Sequence, residues 1–383
     1  MKVINSEKVP IKLWLDDIED GALEQTKNIA NLPFVFKYIA VMPDGHQGYG
    51  MPIGGVMATE NVIVPNAVGV DIGCGMCAVK TGLTEMDIET LKKLMGEIRK
   101  VVPVGFAHHK EKQNEDLMPE TDKKLFIASR EYQNALTQIG TLGGGNHFIE
   151  IQKGSDGHIW IMIHSGSRNF GLKIAEHYNK VALELNKRWY SSVPKEWELA
   201  FLPLDTQEGI AYMNEMQYAV DFALANRRLM MDRIASVFSD LNVCHLFAPM
   251  INIAHNYARF ENHFGKNVLV HRKGATLATE GLTGIIPGSM GSSSYIVEGL
   301  GNPESFMSCS HGSGRRMGRK QAIRELNLEE EQKKMEGIVH GMRNKDDLEE
   351  APGAYKDIDV VMANQVDLVK IKVKLRPLAV IKG

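Results

Sequence analysis

Cysteine is scarce: Cys74, Cys77, Cys244 and Cys309 are the only four in 383 residues. So few thiols exclude a disulfide framework and leave metal binding, catalysis or core filling as their uses. No apolar run approaches the ~20 residues that cross a bilayer, and the first residues, MKVINSEKVPIKLW, lack the apolar core of a secretion signal. A cytoplasmic protein without a membrane partner is therefore expected. Charge of one sign is missing as well. Lys and Arg total 44 against 47 Asp and Glu, a formal net of -3, so any nucleic-acid contact must come from a local patch rather than a global basic field. Aromatic residues make up only 7%, which disfavours a non-catalytic RNA-binding module built on exposed rings.

Internal repeats, low-complexity tracts and Pro/Gly/Ser linkers are also absent. Regular elements alternate with glycine-rich loops throughout, which predicts an α+β (mixed α/β) fold in one compact domain spanning residues 1–383. HIWIMIH, residues 158–164, reads as a buried strand. Residues 121–139, 207–239 and the charged stretch 319–337 read as helices, and 187–205 as a surface excursion. Val366 to Leu375 alternates Val369, Ile371 and Val373 with lysines, the pattern of a half-buried strand with a solvated face.

Histidine is plentiful, with 13 copies, several of them among glycines. In VGVDIGCGMCAV, Asp71 and Cys74 are three residues apart, and Gly69, Gly73 and Gly75 around them free the backbone to turn both groups toward one point. A thiolate with a carboxylate suits zinc, manganese or iron, although a turn holding a buried free cysteine has the same sequence. GTLGGGNHFIE places Asn146, His147 and Glu150 after three glycines. It has neither the Gly-Lys-Ser/Thr of a P-loop nor the spacing of a dinucleotide fold, which argues against both schemes. His164 in MIHSGSRNFG and His255 in NIAHNYARFENH each close an apolar run, with Arg168 and with Asn256 and Glu261 following. Each alone is more often a structural histidine. Together with Asp71, Cys74 and His147 they supply ligands for one or two metal ions.

Two further stretches carry chemistry. IIPGSMGSSSYIVEG, around Ser289, offers small side chains and backbone N–H groups that accept anions or a nucleotide. SCSHGSGRRMGR sets His311 among glycines and serines with three arginines close behind. A neutral imidazole can attack phosphorus, and guanidinium groups neutralise the charge that develops on phosphoryl oxygens. A covalent phospho- or nucleotidyl-histidine is a coherent reading; a solvent loop is the plain alternative.

The ordered set DIGCGM, GGGNHFIE, HSGSR, HNY, IPGSMG, SHGSGR and the terminal VIKG resembles the RtcB family of RNA ligases, over nearly the whole chain from MPDGHQGYGMPIGG near residue 42 to Gly383. The resemblance implies a single RtcB-like domain with irregular glycine-rich loops around a central active-site cleft. It implies a tRNA-splicing or RNA-repair ligase that uses GTP and two manganese ions to join 2′,3′-cyclic-phosphate or 3′-phosphate ends to 5′-hydroxyl ends. By the same resemblance His311 takes GMP covalently, and GMP passes to the RNA as an RNA-(3′)pp(5′)G end. Cys74 bridges the two ions, His147 and His164 complete one, and Asp71 and His255 complete the other. Asn146 and Arg315 stand near the nucleotide phosphate. Glu150, Ser289, Met290, Gly312, Ser313, Gly314 and Lys382 form the guanosine pocket. The partners implied are RNA and GTP, with an archease-type activator left open. Two positions depart from the family pattern: Gly45 and Ser313 stand where valine and alanine are expected. The chain is also short for the family, which implies trimmed RNA-binding loops. A specialised RNA-repair paralogue, or a metal-dependent cyclic phosphodiesterase or phosphatase without ligation, is the alternative reading.

Overall fold

In the computed structural model, residues 1–121 and 123–383 are described. Helices and strands are interleaved around two large sheets, a mixed α+β architecture. The first sheet has six strands in the order Lys2–Ile4, Ile11–Leu13, Val35–Tyr49, Met51–Thr59, Lys266–Lys273, Asn256–His263. The second has seven: Ile251–Ala254, Gly75–Lys80, Ile159–Ser165, Phe148–Gly154, Val369–Lys382, Ser294–Gly299, Thr283–Ile286.

The antiparallel order of the central strands in the second sheet decides where the motifs meet. Chain direction alternates between neighbours, so the start of one strand lies beside the end of the next. Cys74 precedes Gly75–Lys80, and His164 comes near the end of Ile159–Ser165. His147 precedes Phe148–Gly154, Lys382 ends Val369–Lys382, and His255 follows Ile251–Ala254. The register makes this concrete: Met76 pairs with His164, His164 with Phe148, and Phe148 with Lys382. Motifs far apart in sequence therefore share one end of one sheet.

The same alternation divides the two faces. Ile159, Ile161 and Ile163, with Ile149, Ile151 and Ile381, pack against the helices Ile88–Val101 and Gln207–Asp240. Phe148, Trp160, Met162 and Met76 pack on the opposite face with Ile296 and Val373. His164, Glu150 and Lys382 are in phase with this second set.

Four expectations change. The first helix spans Phe126–Gln138, shorter than 121–139; Asp122 lies outside the described residues. Its first amides, on Ile127 and Ala128, donate to the distant Glu215 carboxylate at 2.7 and 3.0 Å, so no local cap marked its start. The stretch 319–337 forms two helices, Arg319–Glu325 and Leu328–Lys334, because the Asn327 side chain caps the second by accepting from Glu329 and Glu330 N–H. The stretch 187–205 is no mere excursion: Leu199 and Leu202 are fully buried, and Leu202–Pro203 pairs with Val62–Ile63. An unforeseen helix, Arg168–Arg188, runs into its start. The late strand extends to Lys382, and a bulge opposite Val297 turns Ile371 outward to 48% exposure, while Val369 and Val373 stay inside.

The helix Gln207–Asp240 fixes the loops at the shared sheet end. Asn226, fully buried, accepts from Gly140 and Thr141 N–H and donates to Thr141 and Gly166 carbonyls. Its neighbour Arg227 donates to Gly73 and Ser165 carbonyls at 2.9 and 2.8 Å. Replacing Asn226 with Ala would strand these buried backbone groups, and a loss of roughly 3 kcal/mol is expected in unfolding free energy. Urea titration followed by circular dichroism reads it.

Candidate active site

Asp71 and Cys74 lie in the turn before the strand Gly75–Lys80, which the HNY motif braces. Asn256 carbonyl accepts from Gly73 N–H at 2.8 Å, its side chain donates to Asp71 carbonyl at 3.0 Å, and His255 N–H donates to Cys74 carbonyl at 2.8 Å. Around Cys74 the ligand atoms form two groups. Asp71, Cys74 and His147 make one, and Cys74, His164 and His255 the other, each set lying within 4.8 Å of one another. Cys74 Sγ is 3.5 Å from His147 Nε2 and 3.3 Å from His164 Nε2. This grouping differs from the one the resemblance implied: His147 partners Asp71, at 3.2 Å, and His255 partners His164, at 3.4 Å between their Nε2 atoms. The reason is topological, since His164 and His255 end strands on either side of Gly75–Lys80.

These atoms fit a metal ion. His164 Nδ1 donates to Asn146 carbonyl at 3.1 Å, so its Nε2 presents a lone pair to Cys74 and His255. Burial drives the pKa values of His164 and His255 well down, keeping both rings neutral as ligands must be. Burial opposes ionisation of Asp71, but the hydrogen bond and charge of His147 hold its carboxyl below the ordinary range. Burial and the Asp71 charge push the Cys74 thiol up; a coordinated cation reverses that and ionises the sulfur. Sulfur, nitrogen and oxygen donors converging this closely suit a first-row divalent metal.

The second part of the site is a cleft of about 930 Å³. His164, Asn146, Glu150, Ser289, Met290, His311, Gly312, Ser313, Gly314, Arg315 and Lys382 all line it, so it gathers every residue expected at the nucleotide. His311 meets Asp44, a fully buried carboxylate. Asp44 Oδ2 accepts from His311 Nδ1 at 2.6 Å and from the backbone N–H of His311 and Gly312 at 3.0 and 3.3 Å. Burial opposes ionisation of Asp44, and His311 outweighs it to hold the carboxyl down. The proton thus sits on Nδ1, and Nε2 has no partner among the described residues. His46, whose Nδ1 lies 2.8 Å from Asp44 carbonyl, is lowered to about 4 by burial. Gly314, at φ +73°, backs directly onto Asp44 carbonyl, where a Cβ would collide. Gly45 has its own reason: a Cβ there would lie 2.6 Å from Val41 Cγ1.

At the other end, burial raises Glu150 to about 8 and lowers Lys382, which faces it. Glu350, which no motif announced, is the hub of this end. Burial opposes its ionisation, while Lys382, Arg315, Tyr355 and Arg319 hold it charged. Arg315 donates to Glu350 Oε1 at 3.0 Å, Glu349 carbonyl at 2.6 Å, the Tyr355 hydroxyl and Met317 carbonyl. Its guanidinium is therefore taken up by the wall of the cleft rather than held toward a phosphate. Arg319 gives only Nε to Glu350, and its terminal amino groups have no partner among the described residues. Met290 lines the cleft yet packs with Met335, Met342 and Leu348. Ser289 bonds within its own loop, to Ser292. Glu261, adjacent to HNY in sequence, lies away from the site in an ion pair with buried Arg272.

A family model described as tRNA-splicing ligase RtcB matches residues 25–128 and 115–383. RNA-splicing ligase RtcB of Escherichia coli (strain K12) is 39% identical over 407 aligned residues, covering 100% of this chain and 99% of that protein. tRNA-splicing ligase RtcB of Thermococcus kodakarensis is 31% identical, covering 98% of this chain and 95% of its own length. The counterpart from Pyrobaculum aerophilum is 33% identical with the same coverage. The archaeal alignments, at 459 and 463 positions, are longer than this chain, so those relatives carry insertions that it lacks.

Two measurements test the site. Because Cys74 belongs to both ligand groups, Cys74→Ala should abolish binding of every divalent ion, whereas His147→Ala and His255→Ala should each remove one. Equilibrium dialysis with elemental analysis counts them. Glu150 keeps its proton to about 8 in the folded chain, but releases it near the ordinary carboxylate value when unfolded. That contribution to stability is full in acid and is lost as pH rises through about 8. Glu150→Gln removes it, so the melting temperature of the variant should gain on wild type as pH rises from about 5 to about 9.

Proposed function

The chain belongs to the RtcB tRNA-splicing ligase family, and from that premise we propose that it is an RNA ligase that joins 2′,3′-cyclic-phosphate or 3′-phosphate ends to 5′-hydroxyl ends, using GTP through a guanylyl-histidine at His311. The observation that carries the reading is the Asp44–His311 pair. A carboxylate on Nδ1 fixes the tautomer, orients the ring and stabilises the charge the ring acquires, which is how a histidine becomes a nucleophile at Nε2.

In the first step the Nε2 lone pair of His311 attacks the α-phosphorus of GTP. The N–P bond forms, the bond to the pyrophosphate oxygen breaks, and pyrophosphate leaves. The ring keeps its Nδ1 proton throughout, donated as a hydrogen bond to Asp44. A cyclic phosphate end, where present, is opened by water to the 3′-phosphate. An oxygen of that 3′-phosphate then attacks the phosphorus on His311, the N–P bond breaks, and GMP passes to the RNA as an RNA-(3′)pp(5′)G end. Finally the 5′-hydroxyl attacks the RNA phosphorus, loses its proton to solvent, and GMP departs as the strands join.

Asp71, Cys74 and His147 would hold one manganese ion, and Cys74, His164 and His255 the second. Bound there, the ions supply charge neutralisation for phosphoryl oxygens and orientation of the attacking groups. The protein does the rest. Asn146 holds His164 through its carbonyl. Glu150, once ionised, accepts from the N1–H and exocyclic amine of guanine, and Lys382 balances its charge. Ser289, Met290 and the backbone of Gly312, Ser313 and Gly314 shape the cavity around the nucleoside. Arg315 keeps Glu350 in place behind Lys382. Arg319, with free amino groups, is the better-placed cation for a phosphate.

Incubation with manganese and GTP labelled in the α-phosphate tests the reading. Acid-labile, alkali-stable label is expected on the wild type and none on His311→Ala. Asp44→Asn should slow labelling by about 100-fold or more, by the scale of losing one preorganised group that stabilises developing charge. Absence of label, with release of phosphate from a 3′-phosphate RNA, would instead favour the hydrolase alternative.

A further inference from the structure

The loop that hydrogen-bonds to the glycine run before His147 carries a fully exposed phenylalanine and has little freedom to move. Phe106 is 100% exposed. A side chain that apolar, wholly in water, gains nothing from folding, and a loose loop would fold it back onto the surface. This loop is pinned at successive points. Gly105 N–H donates to Gly143 carbonyl at 2.9 Å, Leu142 N–H to Pro103 carbonyl at 2.9 Å, and His109 N–H to Thr137 carbonyl at 2.9 Å. Arg168 donates to Gly105 carbonyl at 3.3 Å, and Arg233 holds His109 and Gln113 at 2.7 and 2.5 Å.

The position is specific to the site. Gly143, which receives the loop, is at φ +98°, and a Cβ on it would lie 2.5 Å from His147 Nδ1 and collide with the Arg168 guanidinium. On the far side of the glycine run, Arg319 reaches to 3.0 Å from where Gly145 would carry a Cβ. The loop that carries the ring is therefore tied to the glycine that backs onto His147, with the free amino groups of Arg319 across the glycines. Exposed Lys110 and Lys112 follow in sequence, on either side of Glu111, with Glu115 and Asp116 beyond them. A rigid ring flanked by cations is the arrangement that holds unpaired nucleobases and their phosphates.

We propose that Phe106 is a stacking platform for a nucleobase of the RNA at the junction being sealed, with Arg319 holding an adjoining phosphate. The inference rests on the ligase reading above and adds a subsite outside the guanosine pocket. The stack holds the strand on the loop that borders the glycine run before His147, so that the end to be joined is kept near the metal centre. Because any base offers a π-face, the contact reads an unpaired end rather than a sequence.

The test is steady-state ligation of a 3′-phosphate strand to a 5′-hydroxyl strand by the full chain with manganese and GTP, after wild type has been shown to take GMP label and join the strands. Phe106→Ala should raise KM for RNA by roughly 5- to 150-fold with kcat little changed. Phe106→Trp should keep the wild-type KM, and Phe106→Leu, apolar but unable to stack, should follow Ala. An abasic terminal nucleotide on one strand should erase the difference between wild type and Phe106→Ala, and which strand does so identifies the base that stacks. Equal KM for wild type and Phe106→Ala would overturn the inference and leave the ligase reading standing. So would a Phe106→Leu enzyme as good as wild type, or a difference that survives both abasic substrates. A wild type that takes no label and joins no RNA would overturn the ligase reading, and this one with it.

Discussion

A buried carboxylate is tolerable only when donors meet its charge, and Asp44 meets that condition at one oxygen: Oδ2 accepts from the ring and backbone of His311 and from Gly312 N–H, while Oδ1 has no hydrogen-bond partner among the described residues. Asp44 lies in the strand Val35–Tyr49 of the first sheet, whereas His311 follows the short strand Ser308–Ser310. Closing the hydrogen bonds of one therefore fixes the other. Gly314 lets the following loop lie flat on Asp44 carbonyl, and Lys356 donates to the adjoining Gly45 carbonyl at 2.5 Å. Misplacing His311 would leave a charge buried without partners, so the position of the candidate nucleophile is enforced by the cost of every alternative.

The cleft joins two electrostatic regimes. Around Cys74, negative or electron-rich groups crowd together, with Arg227 the buried cation behind them. Around Glu350, cations converge on one carboxylate: Arg315, Arg319 and Lys382. Such a cavity accepts a ligand that is anionic in its middle and polar at one end. Glu350 offsets part of this positive charge, and Arg319 keeps its terminal amino groups without a partner among the described residues.

The parts of the site that travel as short motifs were legible in the sequence. Asp71 with Cys74, His147 after three glycines, and the histidines closing apolar runs are local patterns, and strand ends are where ligands are often presented. Their meeting point was not legible, because it depends on the strand order of the seven-stranded sheet. That order also decided which histidine faces Asp71, and it reversed the pairing the family resemblance implied. Glu350, Arg227 and Asn226 escaped notice for a related reason. A glutamate before a proline-glycine turn or an arginine inside a long helix has no distinctive neighbours; each acquires its role only from residues far along the chain. The helix boundaries failed at the same kind of place. Glu215 supplies the cap of Phe126–Gln138 from another helix, while the local Asn327 that splits the stretch 319–337 was passed over because charge continued on both sides.

The strand Val369–Lys382 lies between Phe148–Gly154 and Ser294–Gly299, with which it pairs along both edges. Its two neighbours are made long before it. While the chain is being synthesised, each of them presents an open edge of N–H and C=O groups, and such edges pair readily with other chains. The sheet can close only when this late segment threads into the gap, a high-contact-order step that is intrinsically slow. The arrangement that brings Lys382 to the cleft thus leaves two strand edges unpaired until the late segment is made, and ties a completed site to that last pairing.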